Sequence, residues 1–120
     1  MTRINCIPVQ ELTNKHLVAE YRELPRVFKL ARMPKDNEQF PQEYTLGTGH
    51  VKFFYQRLGY CYQRQIQLYN EMKRRGYNPT HNPHLLPVTY HNKTRLWNDW
   101  EPTPEAQAIN RQRIQERLNK

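Results

Sequence analysis

Apolar residues recur at helical spacing in three separate stretches of the chain. In the first stretch, apolar side chains four, three and four residues apart form one face of an α-helix. They are Leu17, Tyr21, Leu24 and Phe28. Thr13 or Asn14 is suited to cap the start of this helix. Pro25 predicts a kink before Phe28, because a proline cannot donate a hydrogen bond to the carbonyl of Tyr21.

The second helical pattern runs from His50 to Gly76, with Gly59 as a candidate break and Gly76 as the C-terminal stop. The third begins at Pro104, since proline is favoured in the first turn of a helix. The stretches 33–49 and 77–103 are rich in proline and have few periodic apolar residues, so they are predicted to be loops. The sequence therefore predicts an all-α fold, with residues 1–120 forming a single compact domain of about three helices joined by long irregular loops.

The net charge of the chain indicates which class of molecule it binds. The chain has 19 lysines and arginines against 11 acidic residues, a formal net charge of +8. This excess suits a polyanion, and no apolar run approaches the roughly 18–20 residues of a membrane span, so nucleic acid is favoured over a membrane. The first residues lack a secretory signal, and two cysteines, Cys6 and Cys61, make neither a disulfide framework nor a four-ligand zinc site. We expect a cytoplasmic protein, in a bacterial or phage-infected cell, with reduced thiols.

The first helix has a charged side, and the spacing of its residues does not decide whether that side is functional. His16, Glu20 and Glu23 share one face, and Arg22 and Arg26 line an adjacent one. A solvated charged surface is the simpler interpretation of such a pattern, and spacing alone favours it. A functional cluster is the alternative.

Longer sequence segments favour the functional interpretation. The segments are MTRIN at the N-terminus, HLVAEYRELPRVF in the first helix, and LGTGHVKFFYQRL and RQIQLYNEMKRRGYN in the second. Together they resemble the phage endonuclease V family, the pyrimidine-dimer DNA glycosylases with abasic-site lyase activity. The segments cover about half of the chain, and the last helix matches more loosely.

The resemblance implies a catalytic pair. Its nucleophile is the α-amine of Thr2, exposed once Met1 has been removed, and Glu23 is the catalytic carboxylate. An N-terminal amine has an unperturbed pKa of about 7.7–8.0 against about 10.4 for lysine, so a sizeable fraction is nucleophilic near neutral pH. The reaction implied is formation of an imine with the sugar followed by β-elimination. It needs no cofactor and no metal.

The resemblance also implies DNA-binding residues around the catalytic pair. They are Arg3, His16, Glu20, Arg22, Arg26, Arg113 and Arg117. The last two belong to the final helix and align with basic residues of the family only after a one-residue gap. The implied partner is double-stranded DNA that contains a lesion or an abasic site, bound by a monomer that extrudes a nucleotide.

Two alternatives stay open at this point. Beside the dimer glycosylase, the first alternative is a lyase for abasic sites or a glycosylase for another modified base. The second is a non-catalytic DNA-binding module of the same fold. The family's phage member continues into an aromatic tail, whereas this sequence ends at Lys120, so the expectation for dimers rests on fewer residues than the lyase expectation. Trp97 and Trp100 either stack on DNA or pin a loop to the core. The loop histidines His81, His84 and His91 lack a fourth zinc ligand at a customary spacing.

Overall fold

The computed structural model describes residues 4–30, 41–47, 49–79 and 96–118, and within these ranges every regular element is helical. A short 3₁₀ helix, Val9–Glu11, comes first. The α-helices are α1 (Asn14–Glu23), α2 (Pro25–Leu30), α3 (His50–Phe54), α4 (Leu58–Arg74) and α5 (Pro104–Leu118). The predicted all-α class is confirmed, although two of the predicted helices are each divided in two.

The first predicted helix is divided at Pro25 into α1 and α2. The Thr13 hydroxyl caps the start of α1 by accepting a hydrogen bond from the backbone N–H of His16 at 3.2 Å. Leu24 closes α1 by donating its backbone N–H to the carbonyl of Glu20 at 2.9 Å. The predicted apolar face is buried along its whole length, at Leu17, Tyr21, Leu24 and Phe28.

The second predicted helix is interrupted at residues 55–57, between α3 and α4, and not at Gly59. Gly59 lies in the first turn of α4, where a Cβ atom would come within 3.1 Å of the carbonyl oxygen of Asn98. That oxygen accepts the backbone N–H of Tyr60 at 3.1 Å. The glycine therefore permits the close approach of residues 96–98 to α4 and does not break the helix. Gly76 follows the end of α4 with a φ of 90°, as predicted for a C-terminal stop.

Both tryptophans pack against the apolar core. The ring of Trp100 stacks on Tyr44, with centroids 5.9 Å apart and planes 10° apart, and meets Phe53 edge-on at 5.0 Å. The Trp97 ring lies 5.7 Å from that of Tyr62. These contacts favour the core interpretation of the two tryptophans over stacking on DNA.

The two cysteines are buried free thiols. Burial raises the pKa of Cys6 to about 12 and raises the pKa of Cys61 as well, so both thiols are un-ionised near neutral pH. No helix in the described ranges is both long and apolar enough to cross a membrane. The same ranges contain no cluster of side chains suited to hold a metal ion, and the loop histidines His81, His84 and His91 lie outside them.

Candidate active site

The N-terminal segment, Ile4–Ile7, is buried, and side chains from several helices bind its backbone. The backbone N–H of Ile4 donates to Nε2 of His50 at 2.8 Å. Nδ1 of the same ring lies 2.8 Å from the carbonyl oxygen of Thr45. Since Nε2 must accept, the His50 ring is neutral and donates from Nδ1. The Tyr44 hydroxyl completes this end of the segment by donating to the carbonyl of Ile4 at 3.3 Å.

Asn110 of α5 holds the centre of the N-terminal segment. Its Oδ1 atom accepts the backbone N–H of Cys6 at 2.7 Å and that of Ile7 at 3.3 Å. Its Nδ2 atom donates to Oδ1 of Asn5 at 2.7 Å. Asn110 is fully buried, so one amide side chain satisfies backbone groups that would otherwise be unpaired away from water.

A buried ion pair continues this arrangement. Nδ2 of Asn5 donates to Oε1 of Glu20 at 2.8 Å. Arg64 of α4 donates two hydrogen bonds to the same carboxylate, from Nε to Oε2 at 2.8 Å and from Nη2 to Oε1 at 3.0 Å. Its Nη1 atom donates to the carbonyl of Ile7 at 2.6 Å, so the chain of contacts begins and ends on the N-terminal segment. We call Asn5, Glu20, Arg64 and Asn110 the buried network.

Arg64 stays protonated and positively charged although it is buried. Burial by itself lowers the pKa of Arg64, but the charge of Glu20 and the hydrogen bonds to it outweigh that effect and raise the pKa above its ordinary value. The side chains of Arg64 and Glu20 are only 3% and 0% exposed. Glu20 therefore lies in the interior, where it binds other protein groups, and its predicted place among the DNA contacts does not fit this position.

Glu23 lies one turn after Glu20, as the last residue of α1, and it is half-buried. Arg22 and Arg26 flank it and are exposed. Within the described ranges, neither of these arginines forms an ion pair. We call Arg22 and Arg26 the arginine face. It lies at the junction of α1 and α2, beside a carboxylate and open to solvent.

The last helix brings Arg117 toward the start of α1. Burial, followed by the charges of Lys15 and Arg117, lowers the pKa of His16, so the ring is neutral near pH 7 and lies within the field of Arg117. Nδ1 of His16 is 2.7 Å from the Thr13 hydroxyl. Arg113 lies one turn before Arg117, with Nη1 3.8 Å from a Glu116 carboxylate oxygen. Thr2 and Arg3 lie outside the described residues.

Sequence reasoning missed three members of the buried network, although a signal existed for two of them. Asn110 occupies the middle of a buried row in α5 between Ala106 and Ile114, at intervals of four. Arg64 falls in the same way between Tyr60 and Leu68 in α4. A polar residue at a core position of an amphipathic helix predicts a buried polar contact, but it does not identify the partner. Asn5 carries no such signal.

A cleft of about 850 Å³ lies on another part of the surface. It is lined by the N-terminal segment, by α4 residues that include Gln67 and Arg74, and by residues 99–102. Glu23 and the arginine face do not line it. The candidate chemistry at Glu23 therefore lies outside this cleft, at the junction of α1 and α2.

Most of the chain matches a known protein family. A sequence model described as pyrimidine dimer DNA glycosylase matches residues 1–84. The match spans the N-terminal segment and α1 to α4, well over half of the 120 residues. The chain belongs to this family of DNA repair glycosylases, which confirms the resemblance found in the shorter segments. Helix α5, with Asn110, Arg113 and Arg117, follows the matched residues.

Proposed function

We propose that the protein excises pyrimidine dimers from double-stranded DNA and then cuts the strand at the resulting abasic site, with the α-amine of Thr2 as nucleophile. The observation that carries this proposal is the 2.8 Å hydrogen bond from Asn5 to Glu20. It ties the N-terminal segment to α1 one turn before Glu23. The amine and the carboxylate that the reaction requires are thereby supplied by neighbouring parts of the fold.

The length of chain supports this pairing. A residue adds at most about 3.6 Å to an extended chain, so the amine of Thr2 lies within about 7 Å of the backbone nitrogen of Ile4. Ile4 is itself fixed by its hydrogen bonds to His50 and Tyr44. An α-helix rises about 1.5 Å per residue, so Glu23 lies about 4.5 Å along α1 from Glu20. The proposal therefore requires the amine to reach Glu23 within this short length of chain.

The first chemical step is loss of the damaged base. The unprotonated amine attacks C1′ of the sugar, a new N–C1′ bond forms, and the glycosidic bond breaks. The base leaves with the bonding electron pair and takes up a proton. The negative charge of Glu23 stabilises the cationic character that the sugar develops as the base departs.

The second step is strand cleavage. The nitrogen linked to C1′ first loses a proton, and the C1′–O4′ bond then breaks, so that O4′ takes up a proton as the C1′=N bond forms. The resulting protonated imine acidifies the proton on C2′. Removal of that proton, with the Glu23 carboxylate taking part in the transfer, expels the 3′ phosphate as the C3′–O bond breaks. Hydrolysis of the imine then releases the amine. The amine, the carboxylate and water account for every proton in this scheme.

The arginine face supplies contacts to the DNA backbone in this proposal. Arg22 and Arg26 are exposed and close to Glu23, so phosphates bound there hold a nucleotide near the carboxylate. Arg3 and Arg113 are assigned to the same backbone contacts, together with Arg117 beside His16. Glu20 is reassigned from DNA contact to support of the N-terminal segment. A monomer formed by a single 1–120 domain, and a cytoplasmic location, stay predictions.

Borohydride trapping on an abasic duplex tests the nucleophile. Reduction of the imine should leave a covalent protein–DNA adduct, and peptide mapping should place the DNA on Thr2. Protein that retains Met1 is the matched control, because its amine is displaced by one residue and should give little adduct or cleavage. An adduct on a lysine would overturn the Thr2 assignment.

The same assay separates the alternatives. Cleavage of abasic DNA in the presence of EDTA, without excision of dimers, would support a lyase for abasic sites. Duplexes carrying other modified bases would identify a different lesion. A folded protein with Thr2 at its N-terminus that neither forms an adduct nor cleaves the duplex would support the non-catalytic DNA-binding module.

A further inference from the structure

The polar groups buried in the core converge on the N-terminal segment. Asn5, Glu20, Arg64 and Asn110 are each no more than 3% exposed, and all four are joined by hydrogen bonds. Two further side chains reach the same backbone from α4 and α5. The Tyr60 hydroxyl donates to the carbonyl of Asn5, and Nε2 of Gln107 donates to that of Cys6, both at 3.3 Å.

Stability alone gives a weak reason for this arrangement. Removing a carboxylate and a guanidinium from water costs several kcal/mol for each ion, and apolar side chains of similar volume often stabilise a core equally well. A fully bonded polar network does something that apolar packing does less well, because its directional bonds fix one geometry. Here the fixed part is the irregular segment from Ile4 to Ile7, which has no helical hydrogen bonds of its own.

Asn110 occupies the central position in this arrangement. It is the side chain that binds two successive backbone N–H groups of the segment, those of Cys6 and Ile7, while its amide nitrogen also orients Asn5. Asn5 in turn donates to Glu20 on α1. The position of the segment relative to the helix that carries Glu23 therefore depends on an amide of α5.

We infer that Asn110 is a positioning residue for the N-terminal nucleophile, which it holds at the α1 end through the N-terminal segment. This inference rests on the proposed function, since it assumes that the Thr2 amine reacts. Loss of the Asn110 amide frees the segment to shift without altering the arginine face, so the chemical step slows while DNA affinity is kept. Displacement of a reacting group by about 1 Å is enough to cost about 100-fold in rate.

The test is single-turnover borohydride trapping on an abasic duplex, with protein lacking Met1, over a range of protein concentrations. We expect Asn110→Ala to lower the trapping rate at saturation by at least about tenfold and to change the half-saturating concentration by less than about threefold. Faster hydrogen exchange at the backbone amides of Cys6 and Ile7 should accompany the slower trapping.

Gln65→Ala is the matched control. Gln65 is also a fully buried amide, but its hydrogen bond goes to the carbonyl of Tyr21 at 3.2 Å, on α1 and not on the N-terminal segment. Its substitution should lower thermal stability and leave the saturating trapping rate unchanged. Equal rate losses in the two variants would mean general destabilisation and would overturn the positioning role.

A milder variant keeps the test decisive if Asn110→Ala does not fold. Gln107→Ala removes a half-buried hydrogen bond to the same segment, and we expect the saturating rate to fall about two- to fivefold with unchanged affinity. An unchanged rate in that variant would then overturn the inference. If the wild-type protein gives an adduct on Thr2 and the Asn110→Ala variant is unaffected, the positioning role of Asn110 is refuted and the proposed nucleophile stands. Wild-type protein that gives no adduct refutes the proposed nucleophile and, with it, the positioning role.

Discussion

Two carboxylates on α1, three residues apart, lie in contrasting regions of the molecule. Glu20 is 1% exposed, and its oxygens are bound by Asn5 and Arg64. Glu23 is half-buried at the junction of α1 and α2, beside the exposed Arg22 and Arg26. One side of the helix is therefore committed to fixing the N-terminal segment, and the adjacent side faces solvent with its cations available. A rigid support beside an open charged surface suits an enzyme that must hold a nucleophile and admit DNA.

The arginines divide in the same way. Arg64 is buried and its charge is balanced by Glu20, whereas Arg22 and Arg26 are exposed and form no ion pair in the described ranges. Arg64 contributes little to binding a phosphate, because its donors are occupied by short hydrogen bonds to Glu20 and to the carbonyl of Ile7. Basic residues of this chain are therefore available to bind DNA phosphates where they have no acidic partner.

The largest expected effect is on chemistry at Glu23. Glu23→Gln keeps the size of the side chain but removes its charge, so strand cleavage should fall by about 100-fold or more, the range of general acid–base contributions. Thermal stability and DNA affinity should stay close to wild type. The measurements are single-turnover cleavage of an abasic duplex and a binding titration. A Glu23→Gln variant that cleaves at the wild-type rate would refute a catalytic role for this carboxylate.

At Glu20 the expected effect of substitution is a loss of stability. Glu20→Gln leaves the buried guanidinium of Arg64 without its counter-ion, and breaking such a pair costs about 3–5 kcal/mol. Urea unfolding should therefore show a large decrease in stability, in contrast to Glu23→Gln. If instead Glu20→Gln is as stable as wild type, the buried network does not carry the role assigned to it, and the contrast between the two carboxylates fails.

Local sequence patterns were enough to predict the helices. The apolar spacing from Leu17 to Phe28 and the proline at residue 25 determine α1, α2 and the division between them, because both effects act within a few residues. The break before Leu58 was not predictable in this way. Its position depends on the approach of residues 96–98, about forty residues further along the chain, to the first turn of α4.

The site was predictable where its residues share a helix. Helical spacing predicted that Glu23, Arg22 and Arg26 lie close together, whereas their roles come from the resemblance and stay predictions. The buried network did not follow, because Asn5 and Asn110 are 105 residues apart in sequence and meet only in the folded protein. Glu20 shows the limit most clearly. Its spacing places it on the same face as Glu23, but spacing does not predict that Arg64 will reach it from α4.

A smaller effect is expected at the arginine face. Arg26→Ala should weaken binding to damaged and undamaged duplexes alike and reduce the slope of log affinity against log salt by about one unit, the amount expected when one phosphate is no longer neutralised. Arg111→Ala is the matched control, since Arg111 is exposed but paired with Glu11 at 2.8 Å. Its substitution should change the slope little. Equal changes in the two variants would mean that total charge, and not the arginine face, controls binding.

The smallest effect is expected on the acid stability that depends on Glu71. This carboxylate is buried like Glu20, but one of its partners is exposed. Its side chain is buried, but it is bound by the exposed Arg74 at 2.5 Å and by Arg75 at 2.7 Å. Hydrogen bonds from Arg74 and then Arg75, which outweigh the effect of burial, lower the pKa of Glu71 to about 2 from its ordinary 4.5. Arg75 also donates to the carbonyl of Val9 at 3.2 Å, so the cluster fastens the 3₁₀ helix to α4.

The direction of the pH effect follows from which state takes up a proton. Above pH 4.5 the carboxylate of Glu71 is ionised in both the folded and the unfolded chain, and its full contribution to stability is present. As the pH falls from about 4.5 to about 2, the unfolded chain binds a proton first, so this contribution progressively disappears. The melting temperature of wild-type protein should fall over that interval, and Glu71→Gln should flatten the fall. Glu11→Gln is the control at an exposed pair, where solvent screening should leave a smaller change. A melting curve whose acid dependence is the same in wild type and Glu71→Gln would show that this cluster contributes no stability through its charge.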